Sequence, residues 1–116
     1  MKVIHEGEVP AQADPNPLFE GRVTRQPLVT DQMAQGIRIA VVNFSPGART
    51  VLHSHTNEQV LYVVAGRGIL ATEQEEHVVT PGATIFVPPG EKHWHGATRD
   101  SSFSHLSITT PGKTEF

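Results

Sequence analysis

Two short histidine runs, carried on segments without a helical period, constrain this chain more than any other feature. The first run places His53 and His55 two residues apart and is followed by Gln59, and the second extends from Lys92 to His95. Residues two apart on an extended strand point to the same face of that strand. The paired imidazoles of each run therefore lean to one side, and a fold that joins the two faces builds a metal site.

Short apolar and β-branched segments alternate with turn residues along most of the sequence. We expect strands at residues 23–29, 36–44, 51–55, 59–64, 69–73, 77–80, 83–87, 92–97 and 102–109. No segment repeats apolar residues with the spacing of an amphipathic helix, and closely spaced short strands are typical of a sandwich or barrel. We therefore predict an all-β single domain, with an N-terminal arm at 1–22, a β-barrel at 23–110 and a C-terminal tail at 111–116.

Composition and charge exclude several classes of function. The 116 residues carry a net charge of -3 and a pI near 6.1, which gives no basic surface for nucleic acid or for an anionic membrane. The chain has no cysteine, so it can form neither a disulfide nor a thiolate metal site. No segment has the apolar length of a signal peptide or of a membrane span. We expect a cytoplasmic protein that acts on a small molecule and binds neither nucleic acid nor membrane.

The spacing of glycines, prolines and histidines around the two runs matches two motifs of a known superfamily. The first motif is formed by Gly47, His53, His55, Gln59 and Gly66, and the second by Gly82, Pro88, Gly90 and His93. In this order and separation they resemble the cupin superfamily, with Gln59 in place of the usual glutamate and Ala97 in place of the usual asparagine. The resemblance implies a double-stranded β-helix, also called a jelly-roll barrel. Apolar side chains on both faces of the strands at 59–64 and 102–109 indicate that the exterior of the barrel is partly covered. A homodimer, which cupins commonly form, would cover it, and the N-terminal arm could cover the same surface.

Three further stretches, GART-x-x-H-x-H, GEKHWHGA and SHL-S-I, narrow the resemblance. They are similar to small single-domain cupins that include manganese-dependent hydroxynitrile lyases, together with cupins found with carboxymuconolactone decarboxylase-like proteins. The resemblance implies one divalent transition metal, with manganese first and iron, nickel, cobalt or zinc as alternatives. By position it assigns the metal ligands to His53, His55, Gln59 and His93. By position it also assigns the walls of a substrate pocket to Ala40, Val42, Thr50, His95 and His105.

The fourth ligand is open between two neighbouring residues. Glu58 could supply a carboxylate, but the six-residue gap to Gly66 and the strand parity with the histidines favour Gln59. A carboxylate would neutralise one charge of a divalent ion, whereas an amide leaves the full charge with neutral imidazoles. Such an ion is a stronger Lewis acid toward an anionic ligand, and its higher oxidation state is less well supported.

His95 and His105 are the candidates for proton transfer. An unperturbed imidazole titrates near pH 6.5 and can move protons at neutral pH. We interpret His105, with His95 beside it, as a catalytic acid or base in the pocket. The alternatives are a surface position for His95, next to Trp94, and a core position for His105 with its ring bonded to backbone.

Three functions fit these residues. The leading hypothesis is a metal-dependent lyase, in which the ion stabilises a leaving anion such as cyanide while His105 deprotonates a hydroxyl group. In that hypothesis Ala40, Val42 and Leu61 hold an apolar or aromatic group of the substrate. The second hypothesis is a dioxygenase for an enediol, flavonol-like or alkene substrate, which the lack of a carboxylate ligand disfavours. The third is a cupin that binds or senses a ligand without catalysis, or that serves as the partner of a larger enzyme.

Overall fold

The computed structural model describes residues 1–116 and consists of β-strands and one 3₁₀ turn at Glu6–Glu8. The strands are β1 (Gln12–Ala13), β2 (Phe19–Glu20), β3 (Val23–Val29), β4 (Arg38–Phe44), β5 (Arg49–Thr50), β6 (Ser54–His55), β7 (Gln59–Gly66), β8 (Gly68–Ala71), β9 (Glu76–Val79), β10 (Thr84–Val87), β11 (Trp94–Ala97), β12 (Phe103–Thr109) and β13 (Thr114–Glu115). The predicted strand at 51–55 is wrong in its extent, because the chain bends at Leu52 between β5 and β6. No helix is long and apolar enough to cross a membrane.

Two antiparallel sheets pack face to face, and the prediction of an all-β jelly-roll domain is confirmed. The larger sheet has the order β1-β3-β4-β12-β7-β10, and the smaller has the order β2-β5-β11-β8-β9. Most neighbours in these sheets are not consecutive in the chain, so the chain crosses repeatedly from one sheet to the other. Jelly rolls of this kind bury one face of each sheet in a shared interior.

The inner face of the larger sheet is built from rows of side chains that run across its strands. Directly paired residues of antiparallel strands project to the same side of a sheet, so the register fixes each row. The rows are Val23-Phe44-Phe103, Arg25-Val42-His105-Val63, Pro27-Ala40-Ser107-Leu61 and Arg38-Thr109-Gln59. The interior therefore changes from apolar at one end to polar and charged at the other, and the site opens at the polar end.

The apolar end of the barrel holds the hydrophobic core. Phe44 and Phe103 lie 5.8 Å apart between ring centroids, and both are almost fully buried. Leu61 and Val63 of β7 pack into the same cluster, as does Leu70 from the smaller sheet. Burying one such side chain stabilises the fold by roughly 1.5–3 kcal/mol, so this cluster fixes the two sheets against each other.

A short backbone bridge brings the two histidine runs together. The amide of His53 donates to the carbonyl of His93, and the amide of His93 donates back to the carbonyl of His53, each at 2.9 Å. The amide of Gly90 adds a bond to the carbonyl of His55 at 2.8 Å.

Gly66, at the end of β7, has a φ of 76° and approaches the carbonyl of Ser102 so closely that a Cβ would lie 1.9 Å from its oxygen.

The two chain termini also pack on the barrel. β1 pairs with β3 and β2 pairs with β5, so the residues expected as an N-terminal arm add strands to both sheets. β13 lies in the expected C-terminal tail and pairs with β6, placing Thr114 directly opposite His55. Gly112 passes so close to Asn57 that a Cβ there would lie 2.1 Å from the Asn57 amide oxygen. The last residues are therefore held against the first histidine run.

Candidate metal centre and substrate cavity

Three buried imidazoles meet inside the polar end of the barrel. One ligand atom from each of His53, His55 and His93 can be chosen so that all lie within 4.8 Å of one another. Two nitrogen ligands on opposite sides of a transition metal lie roughly 4.2 Å apart, twice the usual metal–nitrogen distance of about 2.1 Å. The cluster therefore has the dimensions of a site for one ion, because small side-chain movements close the remaining gap.

Gln59 completes a set of four buried atoms that have no hydrogen-bond partner. These atoms are Nε2 of His53, Nε2 of His55, Nε2 of His93 and Oε1 of Gln59. Buried polar atoms in proteins are nearly always partnered, and all four of these can donate a lone pair. Three imidazole nitrogens and one amide oxygen suit a divalent transition metal, so the residues present fit the group that the sequence implies.

Backbone carbonyls orient two of the three imidazoles. Nδ1 of His53 lies 2.7 Å from the carbonyl oxygen of Val51, and Nδ1 of His93 lies 2.9 Å from that of Glu91. A carbonyl can only accept a hydrogen bond, so each Nδ1 carries the proton and donates it. Each Nε2 is therefore left with its lone pair, which is the form that binds a metal.

Side-chain hydroxyls orient the other two members of the set. Nδ1 of His55 lies 3.0 Å from the hydroxyl oxygen of Thr114 on β13. Nε2 of Gln59 donates to the hydroxyl oxygen of Ser107 on β12 at 3.0 Å, which fixes the amide with Oε1 pointing away from that bond. Such outer partners set the direction of a ligand and tune its basicity.

Burial keeps the three imidazoles uncharged. The pKa of His53 is lowered to about 4, chiefly by desolvation, with repulsion from His93 and His55 acting in the same direction and the Val51 carbonyl opposing it. Desolvation also lowers the pKa values of His55 and His93. Neutral imidazoles at neutral pH present lone pairs rather than protons to a cation.

The neighbouring carboxylate does not face this cluster. Glu58 is exposed, whereas Gln59 retains only 7% of its accessible surface and holds one of the unpartnered atoms. Gln59 is the first residue of β7 and follows the turn after β6. The strand therefore directs Gln59 inward and leaves Glu58 at the surface.

His95 and His105 form a second, separate histidine group beside the cluster. Both are buried, and Nε2 of His105 lies 3.2 Å from Nδ1 of His95. Nδ1 of His105 lies 3.1 Å from the carbonyl oxygen of Leu106, so this nitrogen must carry a proton and donate it. Desolvation lowers the pKa of His105 to about 4, with the charge of Arg25 acting in the same direction, so the ring is neutral and its Nε2 is an acceptor.

This chain of donors assigns the protons of the pair. Nδ1 of His95 donates to Nε2 of His105, which leaves Nε2 of His95 with a lone pair. Desolvation holds the pKa of His95 well below its usual value, and repulsion from His105 adds to the shift. His95 is therefore an uncharged base whose ring borders the cavity. The ring of His105 is bonded to the backbone, as in the alternative that the sequence analysis gave for this residue.

The cavity in front of these histidines has a volume of about 380 Å³. His53, His55, Gln59, His95 and His105 all line it, and so does Val42. Ala40 lines an adjoining cavity of about 290 Å³. Most of the lining is polar, which differs from the apolar wall expected from the sequence.

Two residues expected in the pocket wall lie behind it. Leu61 is fully buried in the hydrophobic core and borders neither cavity. Thr50 is also fully buried, and its hydroxyl accepts a hydrogen bond from the backbone amide of His95 at 3.1 Å. Thr50 therefore fixes the strand that carries His95 and does not face a ligand.

Several residues of the site were not found by the sequence analysis. Arg25, Arg38, Ser107 and Thr114 line the cavity together with the histidines. Arg25, Arg38 and Thr114 lie outside the stretches that carry the resemblance, whereas Ser107 lies within SHL-S-I but was given no role. Strand alternation alone places Ser107 on the face of His105, and that signal could have identified it.

The sequence and the fold of this chain are both similar to those of known proteins. Residues 40–109 match the Cupin_2 family of cupin domains. The chain is 37% identical over 112 residues to (R)-mandelonitrile lyase of Granulicella tundricola, a match that covers 93% of this chain and 83% of that protein. It is also similar to the crystal structure of a cupin-like protein of Thermotoga maritima, with 30% identity, a TM-score of 0.85 and coverage of 100% of this chain and 88% of that chain. A polyketide cyclase of Streptomyces resistomycificus has a TM-score of 0.90 at 24% identity, over 99% of this chain and 84% of that chain, which shows the shared fold alone.

Proposed function

Because this chain belongs to the cupin family, we propose that it is a metal-dependent lyase that cleaves a small hydroxynitrile into a carbonyl compound and cyanide. The observation that carries the proposal is the set of four unpartnered, buried lone-pair donors beside a neutral histidine base. The 37% identity to an (R)-mandelonitrile lyase supports the same class of reaction.

The proposed ligands are His53, His55, Gln59 and His93, with manganese as the first choice of ion. When bound, a divalent ion without a carboxylate ligand supplies an undiminished positive charge that stabilises anions in the cavity. The residues of the chain prepare this site. The carbonyls of Val51 and Glu91 fix the tautomers that leave the Nε2 lone pairs of His53 and His93 free, and the hydroxyl groups of Thr114 and Ser107 orient His55 and Gln59.

His95 is the proposed catalytic base. Its Nε2 takes the proton of the substrate hydroxyl group, the C–O bond becomes a carbonyl, and the electron pair of the C–CN bond leaves with cyanide. Protonation of cyanide by the same nitrogen releases hydrogen cyanide and returns His95 to its neutral form. The atoms and charges balance without an oxidant or reductant.

His105 is the proposed positioning residue. Its Nε2 accepts the Nδ1 proton of His95 and so keeps the lone pair of His95 on the cavity side. The carbonyl of Leu106 holds His105 in the tautomer that this requires. This assignment moves the role of base from His105, the first candidate in the sequence, to its partner.

The test is release of benzaldehyde from mandelonitrile by metal-loaded protein. We expect release that disappears on chelation, is strongly reduced in His95→Ala, and is reduced in His105→Ala with a changed pH profile. Release that does not depend on metal would contradict the lyase function. Oxygen uptake measured in parallel with phenolic substrates separates this function from a dioxygenase.

The organisation of the chain completes the proposal. Residues 1–22 act as an arm, 23–110 as the barrel and 111–116 as a tail that reaches back to the site.

We also propose a homodimer, because Tyr62, Val64 and Phe86 are 41%, 39% and 55% exposed on the outer side of β7 and β10. Light scattering of the purified protein gives the molar mass, and a monomeric mass would contradict the dimer.

A further inference from the structure

A side compartment opens next to the cavity of the metal centre. Its volume is about 290 Å³, and five of its lining residues also line the main cavity. These shared residues are Arg25, Asp31, Arg38, Ser107 and Thr109. The two cavities are therefore adjacent, with these five side chains bordering both.

Two guanidinium groups line the compartment. Arg25 lies in the same row of side chains as Val42 and His105, and Arg38 lies in the row of Thr109 and Gln59. Asp31, which is exposed, is the carboxylate that lines the compartment, and Asp14 of the main cavity lies 3.8 Å from Nε of Arg25. Two carboxylates therefore stand near the two guanidinium groups, so an anion would be held by the free donors of these groups and not by a net charge. The four side chains that fit the metal add no further negative charge.

Both guanidinium groups retain free donors. Arg25 reaches Asp14 only through Nε, at 3.8 Å, so its two terminal nitrogens are uncommitted. Arg38 donates from Nη1 to the carbonyls of Ala34 and Ile37, at 2.8 and 3.0 Å, which leaves Nη2 and Nε. Those backbone bonds also fix the direction of the Arg38 side chain. Guanidinium groups with free paired donors are suited to carboxylates.

Hydroxyl groups and a small apolar floor complete the compartment. The Ser107 hydroxyl accepts a bond from Gln59, so its own proton is available to donate. Thr109 lies two residues further along β12 on the same face, and Ala40 and Pro27 line the floor. Ser107 lies about 7 Å along the strand from His105, a distance that a small ring or a short chain spans.

We propose that this compartment binds a carboxylate group, so that the preferred substrate is a small anionic molecule with its carboxylate between Arg25 and Arg38 and its reacting end at His95. The position of the reacting end rests on the lyase function proposed above, whereas the carboxylate site does not. Arg25 pairs with Val42, which pairs with His105, so Arg25 projects from the same face of the sheet as His105, and both line the main cavity.

The test measures binding of benzoate and of benzyl alcohol, a neutral analogue of similar size, by titration calorimetry on the full-length protein before and after chelation. We expect benzoate to bind about tenfold more tightly than benzyl alcohol in both forms, because a charged hydrogen-bonded pair contributes that order of affinity. Arg25→Gln and Arg38→Gln should each weaken benzoate binding about tenfold, whereas Arg99→Gln, an exposed arginine outside both cavities, should leave it unchanged.

Asp14→Asn should change the affinity for benzoate in the opposite direction. Asp14 competes for Arg25, so its neutralisation should strengthen benzoate binding, an effect that loss of folding cannot imitate. Equal binding of benzoate and benzyl alcohol, or benzoate binding that depends on the metal and not on the arginines, would overturn the carboxylate site. Mandelonitrile is neutral, so its cleavage is scored separately. Arginine-dependent benzoate binding without cleavage would refute the lyase function and retain the carboxylate site.

Discussion

The polar end of the barrel contains two groups of buried histidines that differ in the partners of their ring nitrogens. In the triad His53, His55 and His93, each Nδ1 is bonded and each Nε2 has no partner. In the pair, His95 and His105 bond to each other, and His105 uses both of its nitrogens. The two groups are adjacent, since the rings of His93 and His95 are stacked with centroids 5.8 Å apart.

Burial does not separate the two groups. It lowers the pKa of His53 and of His105 to about 4 by the same cause, removal of the ring from water. The hydrogen-bond partners and positions separate them. In the triad the Nε2 atoms have no partner and lie together with Oε1 of Gln59, whereas in the pair Nδ1 of His95 is bonded to Nε2 of His105. Residue type and burial are thus insufficient to assign roles, and the direction of each ring nitrogen is what distinguishes ligand from base.

Removal of one histidine from each group should break this comparison most clearly. His53→Ala removes one of four lone pairs and should weaken metal binding by more than about 100-fold, the upper end for loss of a mere outer partner. His105→Gln should retain the metal, because none of its nitrogens points to the cluster. Competition with a fluorescent chelator measures both affinities. Comparable losses in the two variants would show that the two groups act as one site.

The next largest expected effect is the loss of unfolding free energy of the metal-free protein as the pH falls. The pKa of His105 is lowered in the folded state, so the unfolded chain binds its proton first as the pH falls. This contribution to the free energy of unfolding is complete above about pH 6.5 and is lost between about 6.5 and 4, amounting to about 3 kcal/mol.

Urea unfolding at a series of pH values measures this loss, and His105→Gln should flatten the profile by the contribution of one group. The metal-loaded protein sharpens the comparison. Protons and metal compete for the triad, so chelation should alter the pH dependence that the triad contributes and leave that of His105 in place. A profile that is flat in metal-free protein from pH 6.5 to 4 would contradict the neutral, buried state of both groups.

The parts of this structure that depend on local sequence could be predicted. Strands such as Val23–Val29 coincide with the segments expected from β-branched residues and turn signals, and the all-β fold is confirmed. These features are encoded within a few residues of each other, where alternation and turn chemistry act. The meeting of the two distant histidine runs was expected from the resemblance that their motif spacing carries.

Features that depend on register across the sheet could not be predicted. Arg25 and Arg38 line one compartment because the register of β3 against β4 pairs Arg25 with Val42 and so places it on the face of Ala40 and Arg38. Thr114 reaches His55 across 59 residues of sequence because β13 pairs with β6. Leu61 was expected in the pocket wall, but it packs in the hydrophobic core, and its cross-strand neighbour Ser107 lines the cavity instead.

The hydroxyl of Thr114 offers a smaller test, confined to the triad. Thr114→Val keeps the shape of the side chain and removes the partner of His55 Nδ1, so metal affinity should fall about tenfold. The backbone pairing of β13 with β6 remains, so the fold should be unaffected. Thr110→Val, an exposed threonine of the same terminal segment, is the control and should keep full affinity. Equal affinity in the Thr114 variant would mean that the ring of His55 is held by packing alone.

The smallest expected effect distinguishes the two candidates for the fourth ligand. Glu58→Ala should change metal affinity and stability by no more than about 0.5 kcal/mol, because its side chain is exposed and away from the cluster. Gln59→Ala is the matched change one residue further on, and it removes a buried lone pair together with the bond to Ser107. Chelator competition on both variants gives their ranking. A larger loss in Glu58→Ala would mean that the turn before β7 rearranges when metal binds and that a carboxylate completes the triad. That carboxylate would neutralise one charge of the ion, and the triad and the pair would then differ less in charge.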